Sequence, residues 1–226
     1  MCFTRSAMAF SLFVKKQLSC NAVNILIAIT SFYCTIAYGS SIGVYKQPSA
    51  TKAGQSAIQF QSAKQCGSCH KQIYNEWKQS WMAKAYTNPL FQHEFGKWRQ
   101  FAKKNKQDAD SCLRCHAPVA LLTGDNKLNR AVSREGVTCT VCHKVAKVRE
   151  EAGRYYLVMD PRPIIYGANN NDTLVAHATR QSHALTDSSL CAGCHLDVDH
   201  ADVPLERTFV EWQKSFYAKN GIQCMD

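Results

Sequence analysis

The sequence has no glycine-rich nucleotide loop, no nucleophilic-serine motif and no acid pair set for catalysis. Nucleotide-driven or hydrolytic chemistry therefore has no residues here to carry it. Histidine is scarce, at 8 of 226 residues, and acids are outnumbered, at 17 against 27 Lys and Arg, giving a formal net charge of +10. No nucleic-acid-binding motif accompanies that charge, so it reads either as a basic surface for steering acidic protein partners, with no nucleic acid among them, or simply as a solvated Lys-rich surface. Acid is missing altogether between Met1 and Tyr38, which holds only Arg5, Lys15 and Lys16. Charge of either sign is missing from Gln17 to Tyr45. A basic start, an apolar stretch from Ala22 to Ala37, and the small residues Ala37 and Gly39 ahead of Ser40 make residues 1–39 a signal peptide. An uncleaved anchor is the alternative, since the uncharged run is long enough to span a bilayer. Asn21, Asn24, Thr30, Ser31 and Thr35 dilute the run and favour cleavage. Cys20 precedes the apolar run instead of ending it, which excludes a lipoprotein site.

What the chain does have is one pentapeptide four times: Cys66-Gly67-Ser68-Cys69-His70, Cys112-Leu113-Arg114-Cys115-His116, Cys139-Thr140-Val141-Cys142-His143 and Cys191-Ala192-Gly193-Cys194-His195. C-x-x-C-H attaches c-type haem. The two thiols add across the porphyrin's two vinyl groups, and the following imidazole becomes the proximal iron ligand. Zinc ribbons and iron–sulfur sites also use C-x-x-C, but without a required His in the next position. With 8 His in 226 residues, four such coincidences have chance odds on the order of one in a million. A thioredoxin-like pair would occur once, in a βαβ context. Four covalent c-type haems, I to IV in chain order, are therefore expected, with His70, His116, His143 and His195 on the irons. Their propionates lower the net positive charge left after the leader. Export suits this cofactor, which is attached outside the cytoplasm.

Four porphyrins share the residues after the leader, too little chain for a large side-chain core around each, so the haems are expected to form the core. Residues 40–65, polar with Pro48 and Gly54, read as a tether, and 66–226 as one multihaem domain. Ile73, Trp77, Trp81 and Ala85 recur at helical spacing, which predicts one helix ending before Asn88-Pro89. Asn88 caps a second helix with Phe91, Phe95, Trp98 and Ala102 on one face. Lys103–Asp110 and Thr123–Gly136 read as loops. Val145–Val148 and Tyr155–Val158, with Ala152-Gly153 between them, predict a small hairpin. Pro161, Pro163, Gly167 and Asn169–Asp172 predict a long loop, and Asp187 a cap for the helix carrying Cys191. Thr208 to Glu211 has capping-box spacing for a last helix that ends at Asn220-Gly221. In that helix Glu211-Trp212, Ser215, Ala218 and Lys219 repeat Glu76-Trp77, Ser80, Ala83 and Lys84, with Phe216 for Trp81 and Tyr217 for Met82. The fold class expected is mainly α with long irregular loops and one small hairpin.

The order of parts resembles a known family: C-x-x-C-H followed by Tyr74-x-x-Trp77-x-x-Ser80, then Cys112-x-x-Cys115-His116-Ala117-Pro118, Gly136-Val137-Thr138-Cys139 and Gly221-Ile222-Gln223-Cys224. It is similar to the multihaem cytochromes c typified by the tetrahaem cytochrome c-554, relatives of octahaem hydroxylamine oxidoreductases. The resemblance covers essentially the whole exported part. It implies a helical, haem-packed periplasmic protein that passes electrons between redox partners. Family members often carry a distal His where this chain has Met82 and Tyr217. Met82 is thus either an iron ligand, which would raise that haem's potential, or a core side chain beside an open iron position.

Outside the motifs four histidines remain, His93, His177, His183 and His200. His177 and His183 lie upstream of Cys191, where the family commonly supplies distal ligands. His93 faces away from its helix's aromatic stripe and His200 sits in an acidic stretch, so both read as surface residues. Cys224 is left over. In the resembling family Gly-Ile-Gln-Cys continues into a complete motif, so the expectation is a chain that runs on, with Cys224 holding a fifth haem. Electron carriage in the periplasm is the function expected. A redox enzyme for a small nitrogen or sulfur compound at a five-coordinate haem is one alternative. A membrane-anchored quinol dehydrogenase is another, and it requires the leader to stay attached.

Overall fold

Asn88 opens the longest helix as its sequence demands: its Oδ1 accepts the amides of Leu90 at 2.9 Å and Phe91 at 3.4 Å, and Pro89 needs no partner in the first turn. The computed structural model describes residues 58–169, 176–198 and 204–226, together with the backbone of 45–46; all belong to one compact unit. The leader, most of the tether and His200 lie outside the described residues. None of the described helices is long and apolar enough to cross a membrane.

In chain order the helices are α1 (Ala63–Cys66), α2 (Lys71–Gln79), α3 (Trp81–Lys84), α4 (Pro89–Lys104), α5 (Leu113–His116), α6 (Pro118–Thr123), α7 (Cys139–His143), α8 (Ser189–His195), α9 (Thr208–Lys214) and α10 (Phe216–Lys219). Strands β2 (Val145–Glu151) and β3 (Arg154–Met159) form the antiparallel hairpin, turning through Ala152 and Gly153, both at positive φ. Backbone residues Tyr45–Lys46 (β1) lie parallel along β3. The fold is mainly helical, as expected, with the hairpin as its chief sheet.

Five local expectations need correction. The single helix over Ile73–Ala85 is two, α2 and α3, because Ser80 adopts ψ 159° and its Oγ accepts the Ala83 amide at 3.2 Å, restarting the chain with a fresh cap. Ser215 breaks the last helix identically, at ψ 168°. The capping box at Thr208 does not form: Glu206 accepts the Thr208 amide at 2.8 Å instead. The loop after Pro161 contains a strand, β4 (Ile164–Gly167), paired in parallel with β5 (Ala178–Gln181). The fold also begins earlier than the expected tether allows, since Ile58 and Ala63 are buried. Asp187 does support its helix, accepting the Ser189 amide at 2.7 Å. A third small pairing joins β6 (Asp197–Val198) to β7 (Pro204–Glu206).

Two side-chain clusters are buried. One packs Ile58, Val145, Leu157, Met159 and Leu190 around the hairpin; the other packs Phe95, Leu113, Ala117 and Leu128 between α4, α5 and α6. Helices α2, α3 and α10 bury none of their residues, although Trp81 is 77% and Phe216 71% exposed. Apolar surface of that size beside the cysteine motifs is surface that a porphyrin face would cover.

Candidate haem sites

Each motif follows a helical bend that brings its ends together. His70, for example, donates its amide to the Cys66 carbonyl at 3.0 Å and His116 to that of Cys112 at 3.1 Å. The first cysteine and the imidazole thus sit one turn apart, the arrangement that two thioether bonds and a proximal ligand require. Among the described residues all nine cysteines are thiols and none forms a disulfide.

The imidazoles are oriented by backbone. His116 Nδ1 lies 2.9 Å from the Ala85 carbonyl, and its ring stacks on Phe91 with centroids 3.9 Å apart and planes 6° from parallel. His143 Nδ1 lies 2.6 Å from the Tyr166 carbonyl. A carbonyl only accepts, so Nδ1 carries the proton in both rings and Nε2 is the nitrogen left for iron. That tautomer is the one haem ligation needs, and the residues fit the group.

Burial pushes the thiols up: Cys139 to about 11, Cys142 to about 12 and Cys191 to about 12, with a smaller rise at Cys66 and Cys112. A zinc site needs thiolates, the form that this burial disfavours. Nor, among the described residues, do three His, Cys, Asp or Glu side chains converge on a metal-sized site.

The motifs meet one another through their sulfurs. The Cys66 and Cys139 thiols are in hydrogen-bonding contact, as are those of Cys191 and Cys224, and Cys142 lies near Cys194. Cys115 contacts Cys194, its Sγ 4.0 Å from the Cys194 carbonyl oxygen. Arg114, inside the second motif, pairs with Asp197 just after the fourth, both largely buried. Gly193 of the fourth motif lets Leu157 on β3 pack close, since a Cβ there would stand 2.9 Å from the leucine side chain.

The expected distal ligands fare differently. His177 immediately precedes β5, and its ring centroid lies 6.4 Å from that of His70, planes 40° apart. His183 opens a short 3-10 turn with its side chain exposed. Met82 is half exposed, and its carbonyl accepts the Val137 amide at 2.9 Å. His93 is exposed beside Glu94, as expected of a surface residue. Residue-type reasoning missed Glu135, which accepts Ser62 Oγ at 2.5 Å and the Ala63 amide at 2.8 Å, fixing the start of α1 and with it Cys66. It also missed the Asp160–Arg162–Tyr166 group behind His143. Neither carries a motif that could have announced it.

Residues 65–144 match the model of the family cytochrome c554 and c-prime. No curated protein matches the chain. Among solved structures the chain is similar to the penta-heme cytochrome c552 from Thermochromatium tepidum, with a TM-score of 0.55 and 24% identity, covering 69% of this chain and 51% of that one. The chain thus spans about half the length of that protein, and the likeness is one of fold. The family match contains three of the four C-x-x-C-H motifs, and the imidazoles behind two of them are set in the ligating tautomer, so over residues 65–144 the chain is similar to the cytochrome c554 family of c-type cytochromes.

Proposed function

We propose that the protein is an electron carrier of the periplasm, exported by its 1–39 leader, tethered by the polar stretch that follows, and holding haems I to IV on its four motifs. When bound, haem iron supplies a one-electron ferric–ferrous couple. The chain's own part is placement. The observation that carries the reading is the meeting of the attachment cysteines: Cys66 with Cys139, Cys142 near Cys194, and Cys194 with Cys115. Cysteines that meet in this way would hold their haems side by side, the placement that passing electrons within one protein requires.

His177 would hold the iron of haem I together with His70. Two imidazoles on opposite sides of one iron, each bonded at about 2 Å, have centroids on the order of 6 Å apart, in line with the 6.4 Å between His70 and His177. His183 and Met82 would hold two further irons. Cys224 stands to Cys191 as Cys139 stands to Cys66, which supports it as a fifth attachment thiol. The basic surface suits acidic redox partner proteins. Reductive titration with optical and spin-state readout tests the carrier reading. We expect every haem to cycle reversibly with low-spin spectra dominating. A high-spin ferric haem that binds hydroxylamine or nitrite and turns it over would replace the carrier by an enzyme.

A further inference from the structure

Behind His143 lies a buried polar group that haem attachment by itself does not require. Asp160, 5% exposed, accepts Arg162 Nε at 3.0 Å on each carboxylate oxygen, Arg162 Nη2 at 2.6 Å and the Tyr166 hydroxyl at 2.6 Å. The Asp160 amide donates to the Lys144 carbonyl at 2.9 Å, and the buried Lys144 ammonium returns a bond to the Arg162 carbonyl at 2.5 Å. Burial raises the Asp160 carboxyl, but the bonds from Arg162 and Tyr166 outweigh it and hold the group well below the usual carboxylate range, so it is an anion at neutral pH. An interior carboxylate with every bond satisfied is a rigid anchor.

What it anchors is strand β4. Tyr166 spans the strand: its hydroxyl is tied to Asp160, and its carbonyl takes the Nδ1 proton of His143. In the β4–β5 register Tyr166 pairs with Arg180 and Ile164 with Ala178, the residue next to His177. One two-stranded sheet therefore fixes the imidazole of haem III through a carbonyl and carries the imidazole facing His70 at the mouth of its other strand.

We propose that Asp160, Arg162 and Tyr166 are positioning residues that jointly set the axial histidines of haems III and I, so that the electronic states of these two haems are adjusted by one buried hydrogen-bond group. The proposal rests on the haem-carrier reading, and the test separates the two. A hydrogen bond at Nδ1 gives the imidazole more anionic character and favours ferric iron, so loosening the Tyr166 carbonyl should raise the potential of haem III. Rotating His177 should alter the ferric spin-resonance signal of haem I.

The experiment uses the holoprotein and compares Tyr166→Phe and Asp160→Asn with the parent by redox titration and by electron paramagnetic resonance of the oxidised form. His143→Ala and His177→Ala assign the signals of the two haems. We expect both assigned signals to shift in each variant, an upward shift of one potential, the other signals unchanged, and partial restoration in Asp160→Glu. If Asp160→Asn does not mature, Tyr166→Phe, which keeps the ring and the backbone, decides alone. Unchanged signals at both haems, or an equal shift at every haem, would overturn the inference. A protein with no covalent haem at all would instead overturn the carrier reading beneath it.

Discussion

The molecule contains one device twice, and the two copies differ in instructive ways. In the first, α2 and α3 dock on the segment before Cys139: Trp77 Nε1 donates to the Val137 carbonyl at 2.8 Å, and the Val137 amide donates to the Met82 carbonyl at 2.9 Å. In the second, α9 and α10 dock on the segment before Cys224: Trp212 Nε1 donates to Ile222 at 3.1 Å, and the Ile222 amide to Tyr217 at 3.0 Å. Gly136 and Gly221 turn at φ +66° and +75° in equivalent places. Each copy also ties its segment to a helix carrying another motif. Glu135 binds Ser62 and Ala63 ahead of Cys66, while Gln223 accepts the Ser188 amide at 3.0 Å and its hydroxyl at 2.8 Å ahead of Cys191. The shared skeleton places two first cysteines in contact. The differences, a carboxylate for an amide and Met82 for Tyr217, are where two otherwise like cysteine environments diverge.

The largest effect should come from the glycines. A Cβ on Gly136 would press into the Met82 carbonyl oxygen, whereas one on Gly221 meets open space. Both positions carry the left-handed strain of about 1–2 kcal/mol, but only Gly136→Ala adds overpacking against backbone, of about 1–3 kcal/mol more. Thermal unfolding should therefore show Gly136→Ala clearly less stable than Gly221→Ala; equal losses would mean the two turns are equally packed. Next come the indoles. Trp77→Phe removes a part-buried bond and strands the Val137 carbonyl, a loss of about 1 kcal/mol. Trp212→Phe, at an exposed bond, should cost less in the same denaturant titration.

How much of this was legible follows from which features are local. A C-x-x-C-H pattern is made of contiguous residues, so Cys139 to His143 is legible as a motif. A hairpin needs alternation and a turn, and Ala152-Gly153 supplies the turn. The breaks at Ser80 and Ser215 were hidden because the apolar stripe of Trp77 and Trp81 runs on past a residue that a helix tolerates and that a cap prefers. The Tyr166 carbonyl behind His143 was invisible for a different reason: every residue has a carbonyl, so nothing in the side-chain pattern marks the one that orients an imidazole. The approach of His177 to His70 depends on non-local pairing of β4 with β5, strands that follow Pro161 and Pro163 and read as loop.

Smaller effects sharpen the contrast. Glu135→Gln gives the first copy the chemistry of the second; the three charge-assisted bonds from Ser62, Ala63 and Thr138 lose their charge, a loss of about 1 kcal/mol by urea unfolding, with the fold retained. Acid separates the regions too. The Asp160 carboxyl is held below its unfolded value, so its contribution is fully present above about pH 4 and is lost as pH falls through its depressed folded value. Circular dichroism against pH should show Asp160→Asn with a shallower acid limb than the parent, while Gln223→Glu leaves that limb in place.

The central claim, that the motif cysteines hold haem covalently, is tested most directly by the intact mass of the denatured protein after expression with the haem-attachment machinery. The account predicts a mass gain of at least four haems that survives acidified organic solvent and falls by one haem when Cys139 and Cys142 are both replaced by Ala. Haem that extracts into the solvent and leaves the bare polypeptide mass would contradict it.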